Sequence, residues 1–404
     1  MNRIELLQSK RKGSSMVLVL IAVVVLSVMG VGMLRLGQHN RLLAVRTASE
    51  IAARCAADAG LAQAISAMND KLKAKSWSDK PLPKAINAPL SNFDATFAYT
   101  VTGDSGTGYT VESIGEAGQA VRTVTAILRL QTPFEYAIFM QGNIILKNGT
   151  TIDWYNYDAD DEILKIGTNS TTSASIIAKT GVTINGDVIV GVEGDPDVVI
   201  DSQYEAAITG ETYAAAEDYE MPPVTVPQDL QNSPSKGTLT DPTTMIDYGK
   251  YDSIRLGNSE IMIIDRPVTL YVLGDVILDN SAQIQIADVN TSPDASFALY
   301  LGGNFLSQNG GIINNLAKDA NKVKIYGLDT CQYIDFKTNS VFYGAIYSPN
   351  ADVRLYNSVE VFGSIVADSF IQDVNANFHY DASLRNACTS DEGVRFVVEW
   401  WSEE

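Results

Sequence analysis

From Ser14 to Leu34 the chain carries no charged residue, and Val17, Leu18, Val19, Leu20, Ile21, Val23, Val24, Val25 and Leu26 make its centre almost purely apolar. At roughly 1.5 Å of rise per residue, a helix of this length covers the ~30 Å hydrocarbon layer of a bilayer. The apolar run then passes without a turn signal into Arg35 and an Ala-rich helical pattern, and no proline appears before Pro81. A secretory signal peptide has a shorter apolar region followed by a small-residue cleavage site, so the pattern reads as a span that is kept. Ala44, Ala48, Ile51, Cys55, Ala59 and Ala62 recur at steps of three or four, while Arg46, Glu50 and Arg54 recur at steps of four on another face and can pair along it. One continuous helix from Ser14 to about Met68 is expected, roughly 80 Å long. One half suits lipid, and the other offers a narrow small-residue stripe that lets backbones approach.

Just before the span stands Lys10-Arg11-Lys12-Gly13-Ser14-Ser15-Met16, and within the helix lies Cys55-Ala56-Ala57-Asp58-Ala59-Gly60-Leu61. The first resembles the class III leader of type IV pilins and pseudopilins; the second is similar to the Ala-Ala-Glu-Ala-Gly-Leu signature of PilX-type minor pilins. The resemblance covers about the first 70 residues. It implies cleavage by a prepilin peptidase after Gly13, N-methylation of Ser14, and other pilin or pseudopilin subunits as partners of the helix. Most major pilins have a glutamate at the fifth position of the mature chain, and Leu18 stands there. That departure points to a minor subunit. An uncleaved signal anchor is the alternative.

Arg3, Lys10, Arg11 and Lys12 precede the span and Arg35, Arg41, Arg46 and Arg54 follow it, so flanking charge sets no orientation. The short leader on one side and the long polar remainder on the other imply an inner-membrane, single-pass protein with its bulk exported. There an oxidising compartment would allow Cys331 and Cys388 to join in a disulfide. Apolar residues make up 46% of the chain, enough for a folded core. The net charge of −19 argues against nucleic acid as a partner, since phosphate would be repelled.

The fold class expected is α+β. A leader (1–13) and the transmembrane assembly helix (14–70) are followed by a polar, Pro-containing linker (71–92). Period two sets in over 93–132 with Phe97, Tyr99, Val101, then Tyr109, Val111, Ser113, then Val121, Val124, Ala126, Leu128; turns are expected at Gly103–Gly108 and Gly115–Gly118. Three antiparallel strands on the lower helix would form a small pilin-like head. From 133 to 390 a unit of glycine, small residue and large apolar residue recurs: Gly142-Asn143-Ile144, Gly186-Asp187-Val188, Gly274-Asp275-Val276, Gly303-Asn304-Phe305, Gly344-Ala345-Ile346 and Gly363-Ser364-Ile365. Short strands at such spacing predict a right-handed β-helix, or solenoid, with a β-sandwich as the alternative. PilX-type proteins resemble this in carrying a solenoid-like C-terminal domain. Residues 201–252, with Pro222, Pro223, Pro227, Pro234 and Pro242, fit no coil and are expected to lie outside it. A final strand and tail (391–404) carries Trp400 and Trp401, expected to cap a solenoid end, with an adhesive or subunit contact as the alternative.

Little chemistry is visible. β-Helix lyases and hydrolases need carboxylates one strand apart with a His, Lys or Arg, and only His39 and His379 exist. Asp352 and Arg354 read as a solvated face. No catalytic or cofactor residue is assigned. Asp158, Asp160, Asp161 and Glu162 are the one calcium candidate, but without the glycine or spacing of an EF-hand they read as a solvated acidic loop, and no metal site is assigned. The function expected is that of a minor pilin or pseudopilin, not an enzyme, that assembles by its helix and displays a β-solenoid at the cell surface. The alternative is a signal-anchored β-helix adhesin or carbohydrate-active enzyme.

Overall fold

A computed structural model describes residues 14–73, 77–78, 80–105, 107–156, 163–242, 248–386 and 391–404, with the backbone alone at 14 and 15. A long apolar N-terminal helix is followed by a mostly β chain that includes an antiparallel sheet. Two compact units result: residues 1–68, 78–129 and 398–404, and residues 69–77 and 130–397.

The first unit is built on α1, Ser14–Lys73, whose last turn belongs to the second unit. Four strands follow, β1 (Lys84–Pro89), β2 (Thr96–Asp104), β3 (Gly108–Ala117) and β4 (Ala120–Gln131), and the C-terminal strand Arg395–Glu403 completes the order β1-β2-β3-β4-C-terminal strand. Alternation does what the pattern predicts: Phe97, Tyr99, Val101, Tyr109, Val111, Val124, Ala126 and Leu128 point inward and are buried. Val121, expected inward, is exposed. β1 falls inside the expected linker. Its irregular register between Ala85 and Ala88 gives no clean alternation, so the pattern could not announce it. Gly115 is not a turn residue; it sits within β3, and the turn comes after Ala117. Trp400 and Trp401 do not cap a coil. Thr123 and Glu404 exchange backbone hydrogen bonds of 3.0 and 2.9 Å, which makes the C-terminal strand the fifth of this sheet.

In the second unit the described strand pairs are parallel, and most strands pair with the third one onward, whereas the long strands Val341–Leu355 and Glu360–Gln372 also pair with their immediate neighbours. Pro267–Val272, Val276–Leu278 and Gln283–Ile286 each lie beside Ser296–Leu301, Phe305–Ser307 and Ile312–Ile313. Equivalent residues therefore stack at about 4.8 Å. One inward column runs Leu239, Ile254, Val276, Phe305, Ile334, Val353, Phe370, Ile144 and Ile176, none more than 4% exposed. Each such side chain contributes roughly 1.5–3 kcal/mol of burial.

Four of the repeated glycine units stand at corners, where the small residue satisfies the next layer: Asp275 accepts from Asn304 N at 2.8 Å, and Asp187 from Glu211 N at 2.8 Å. Gly344 and Gly363 instead lie within the long strands Val341–Leu355 and Glu360–Gln372, where they face each other.

The layers are not stacked in sequence order. Ile138–Met140, the first strand of this unit, lies between Lys165–Thr168 and Glu360–Gln372. Residues 165–214 build outward from one side of it. Residues 249–372 approach it from the far end. The seam is sealed by Ile365 on Ile138, Phe370 on Ile144 and Phe378 on Ile152, and by Tyr380, which donates to Phe134 O at 2.7 Å.

The Pro-rich excursion is shorter than 201–252. Ile200–Ser202, Ala207–Ile208 and Thr212–Ala214 join the stack, as do Thr238–Leu239 and Gly249–Tyr251, because their alternation continues past the acidic residues between them. What remains, 215–234, is a strap along an outward column that reads Tyr271, Tyr300, Tyr326, Tyr347, Val366 and Phe139. Val224, Val226 and Leu230 pack on these rings. Tyr347 donates to Pro222 O at 2.6 Å, and Tyr219 donates to Pro133 O at 3.0 Å. The strap thus leaves little of the tyrosine column to water.

Candidate functional site

Two small-residue faces run along α1, and only one is used internally. Ala53, Ala56, Ala57, Gly60, Ala64 and Met68 are fully covered by the sheet. Contact is close enough to exclude a methyl group on either side. A Cβ on Gly115 would stand 2.0 Å from Ala53 O and 2.4 Å from Ala57 N; one on Gly60 would stand 2.2 Å from Ser113 Oγ. Ser113 uses that proximity, donating to Ala57 O at 2.7 Å. Arg54 pairs with Glu403 at 3.1 Å, an exposed contact of small energetic weight.

The stripe picked out by sequence lies elsewhere on the helix: Ala44, Ala48, Ile51, Cys55 and Ala62 are exposed and Ala59 is half-buried. From Met16 to Ala48 every residue is exposed. Among the described residues this is the one helix long and apolar enough to cross a membrane. Ser14 opens the helix, Leu18 is exposed within it, and Gly13 lies outside the described residues. Burying the apolar run in lipid and the small-residue stripe against another helix would remove the largest exposed apolar area of this unit.

The other constellation is His379. Its Nδ1 meets Asp153 and its Nε2 meets Glu360 Oε2 at 2.9 Å, with Asn377 donating to the other oxygen of Glu360 at 2.8 Å. The ring stacks on Phe362 at 4.5 Å, and Phe362 on Tyr343 at 4.2 Å. These residues occupy neighbouring positions on four parallel strands at the seam. Burial alone lowers the imidazole pKa, but the hydrogen bonds to Asp153 and Glu360 and their charges outweigh it and raise it to about 9. A charged ring with both nitrogens engaged has no lone pair for general-base work at neutral pH. It acts as a clasp.

The linkage has a definite sign. The His379 contribution is complete below its ordinary value of 6.5 and is lost as pH rises through about 9. The Glu360 carboxyl, whose burial would raise its pKa, is held lower by His379 and Asn377, so its contribution is present above 4.5 and is lost as pH falls. A histidine shift of this size corresponds to at most roughly 3 kcal/mol. Partial exposure of the carboxylates reduces the expected loss to about 1–2 kcal/mol. Chemical denaturation at pH 6 and pH 10 should show this drop for the native chain, and His379→Gln should abolish most of the difference.

Of the remaining sequence candidates, Asp158, Asp160, Asp161 and Glu162 lie outside the described residues, as does Cys388. Cys331 is a buried free thiol, whose burial pushes its pKa up to about 11. Arg354 is not simply solvated, since it donates to the buried carboxylate of Asp373 at 2.9 Å, which Lys147 reaches from across the seam at 2.6 Å. Asp352 accepts from Ser369 at 2.5 Å. Sequence reading missed Asp153 and Glu360 as partners of His379, because more than 200 residues separate Asp153 from the histidine and only the parallel register joins them.

Residues 203–387 match a family described as a domain of unknown function, DUF7305. No curated protein matches the chain. Among solved structures, the competence-associated pilin ComZ from Thermus thermophilus aligns at 14% identity and TM-score 0.25, covering 88% of this chain and 97% of that one. An ice-binding protein from the Antarctic ascomycete Antarctomyces psychrotrophicus aligns at 13% identity and TM-score 0.28, covering 62% of this chain and 95% of that one. At these scores neither likeness bears on function.

Proposed function

We propose that this chain is a minor pilin or pseudopilin of a type IV pilus or type II secretion-like filament. Its leader is removed after Gly13, Ser14 is N-methylated, and α1 first anchors the protein in the inner membrane and then packs among the helices of other subunits. The observation that carries the reading is the division of labour on α1: one small-residue face is consumed by the sheet, while a second remains exposed below an uncharged apolar span. A signal anchor needs only the span. Resemblance of 10–16 to a prepilin leader and of 55–61 to the PilX-type signature supports the same assignment. The second unit would be displayed as a right-handed β-solenoid, a reading supported by parallel pairing of most strands with the third one onward. Its role is assembly and display rather than catalysis, with no cofactor.

Mass spectrometry of the native protein tests the reading: the expected N-terminus is methylated Ser14, and a chain retaining Met1 would return the protein to the signal-anchored class. Cys55 provides an independent measurement. Its exposed thiol should react with a maleimide in detergent and become at least tenfold slower to react once the protein is in filaments. Equal reactivity in both states would remove the stripe from the interface.

A further inference from the structure

The two edges of the antiparallel sheet are treated in opposite ways. β1 is guarded: its register breaks between Ala85 and Ala88, Asn87 has φ 50°, Lys84 opens the strand and Pro89 closes it. Charge, irregularity and proline are the devices by which proteins stop an edge from accepting another strand. The C-terminal strand, Arg395–Glu403, is the opposite edge, and its outer part, Val398-Glu399-Trp400-Trp401-Ser402-Glu403, contains no Pro, Gly or Lys. Successive side chains of a strand point to opposite faces. Trp400 and Trp401 are nevertheless 52% and 53% exposed, so at this edge both faces are open.

We infer that this edge accepts a β-strand from a partner, and that the partner strand is basic. Main-chain hydrogen bonds to an open edge supply affinity in such strand addition, and side chains on alternate faces supply selectivity. Here the selectivity points one way. Glu399 and Glu404 are exposed beside the tryptophans, and Glu403 is the carboxylate that Arg54 already pairs with. Lys or Arg side chains from an added strand would meet the carboxylates and could also lie over the indole faces, which attract cations. A second copy of this chain is a poor occupant: pairing two such edges sets their glutamates together, and each chain carries a net charge of −19. This surface is separate from the helix stripe and does not depend on leader cleavage or membrane insertion.

The test uses the full chain in detergent micelles and three synthetic peptides: alternating Lys and Val, the same with Glu for Lys, and the Lys peptide with Pro at every second Val. The basic peptide should slow amide exchange at 398–403 at least tenfold, leave β3 unchanged and shift tryptophan emission to shorter wavelength. Trp400→Ser with Trp401→Ser, and separately Glu399→Lys, should each weaken binding at least fivefold while amide exchange in β3 stays native. Unchanged exchange at 398–403 with the basic peptide, equal binding of the acidic or proline peptide, or self-association through this strand would each overturn the inference. A chain that proved soluble without detergent would remove the membrane reading and leave this measurement intact.

Discussion

Gly363→Ala should destabilise the second unit by about 3 kcal/mol or more and broaden or split its unfolding transition. Gly363 has φ 154°, a conformation that L side chains rarely adopt, and a Cβ there would stand 1.7 Å from Gly344 O. The obstructing atom is backbone, so no rotamer change relieves it. The two long strands would have to part where they carry the layer from one face to the next, and the inward column from Phe342 to Val361 would part with them. Gly181→Ala is the control: its φ is +71° but nothing lies within 4 Å, so only the backbone strain of about 1–2 kcal/mol is expected. Urea denaturation of the two variants should separate them by 2 kcal/mol or roughly that. Equal losses would mean that the two strands do not meet at this glycine pair.

In the first unit, Gly115→Ala should cost about 3 kcal/mol and loosen α1 from the sheet, because its Cβ meets Ala53 O at 2.0 Å and Ala57 N at 2.4 Å, both main-chain atoms of the helix. Gly60→Ala should cost less, about 1–2 kcal/mol. Its Cβ meets Ser113 Oγ, which can rotate away at the expense of its bond to Ala57 O. Gly32→Ala, with nothing within 4 Å, should be neutral or slightly stabilising. Amide exchange in β3, compared across the three variants, reads the order directly. A Gly60 variant more damaging than the Gly115 variant would contradict the described contact.

How much of this was legible follows from the range of each signal. The span, the long helix and β2 to β4 are written in local periodicity, and they appear where the pattern places them. The glycine units correctly mark places that accept no side chain, but the pattern does not say whether the intruding atom belongs to a corner or, as at Gly344 and Gly363, to a facing strand. Gly115 looked like a turn because a glycine between alternating residues marks either a turn or a close approach; the helix backbone decides which. β1 was silent because its irregular register erases alternation. The C-terminal strand showed its alternation but not its destination. Asp153, Glu360 and His379 were unreadable as a group, since parallel register between distant segments leaves no local trace.

The seam between the strand Ile138–Met140 and Glu360–Gln372 has a consequence for how the protein is made. Its contacts close loops of more than 220 residues, as between Ser364 and Tyr136 or Tyr380 and Phe134. Long-range closure is slow, since most of the chain's configurational freedom is surrendered before the contact is won. A chain delivered N-terminus first has its early layers assembled with one parallel edge bare until the last layers arrive. Such an edge is sticky while it waits. Synthesis is therefore the interval in which this protein most needs an escort, and arrest of the chain between residues 215 and 340 is the stage at which aggregation should be greatest.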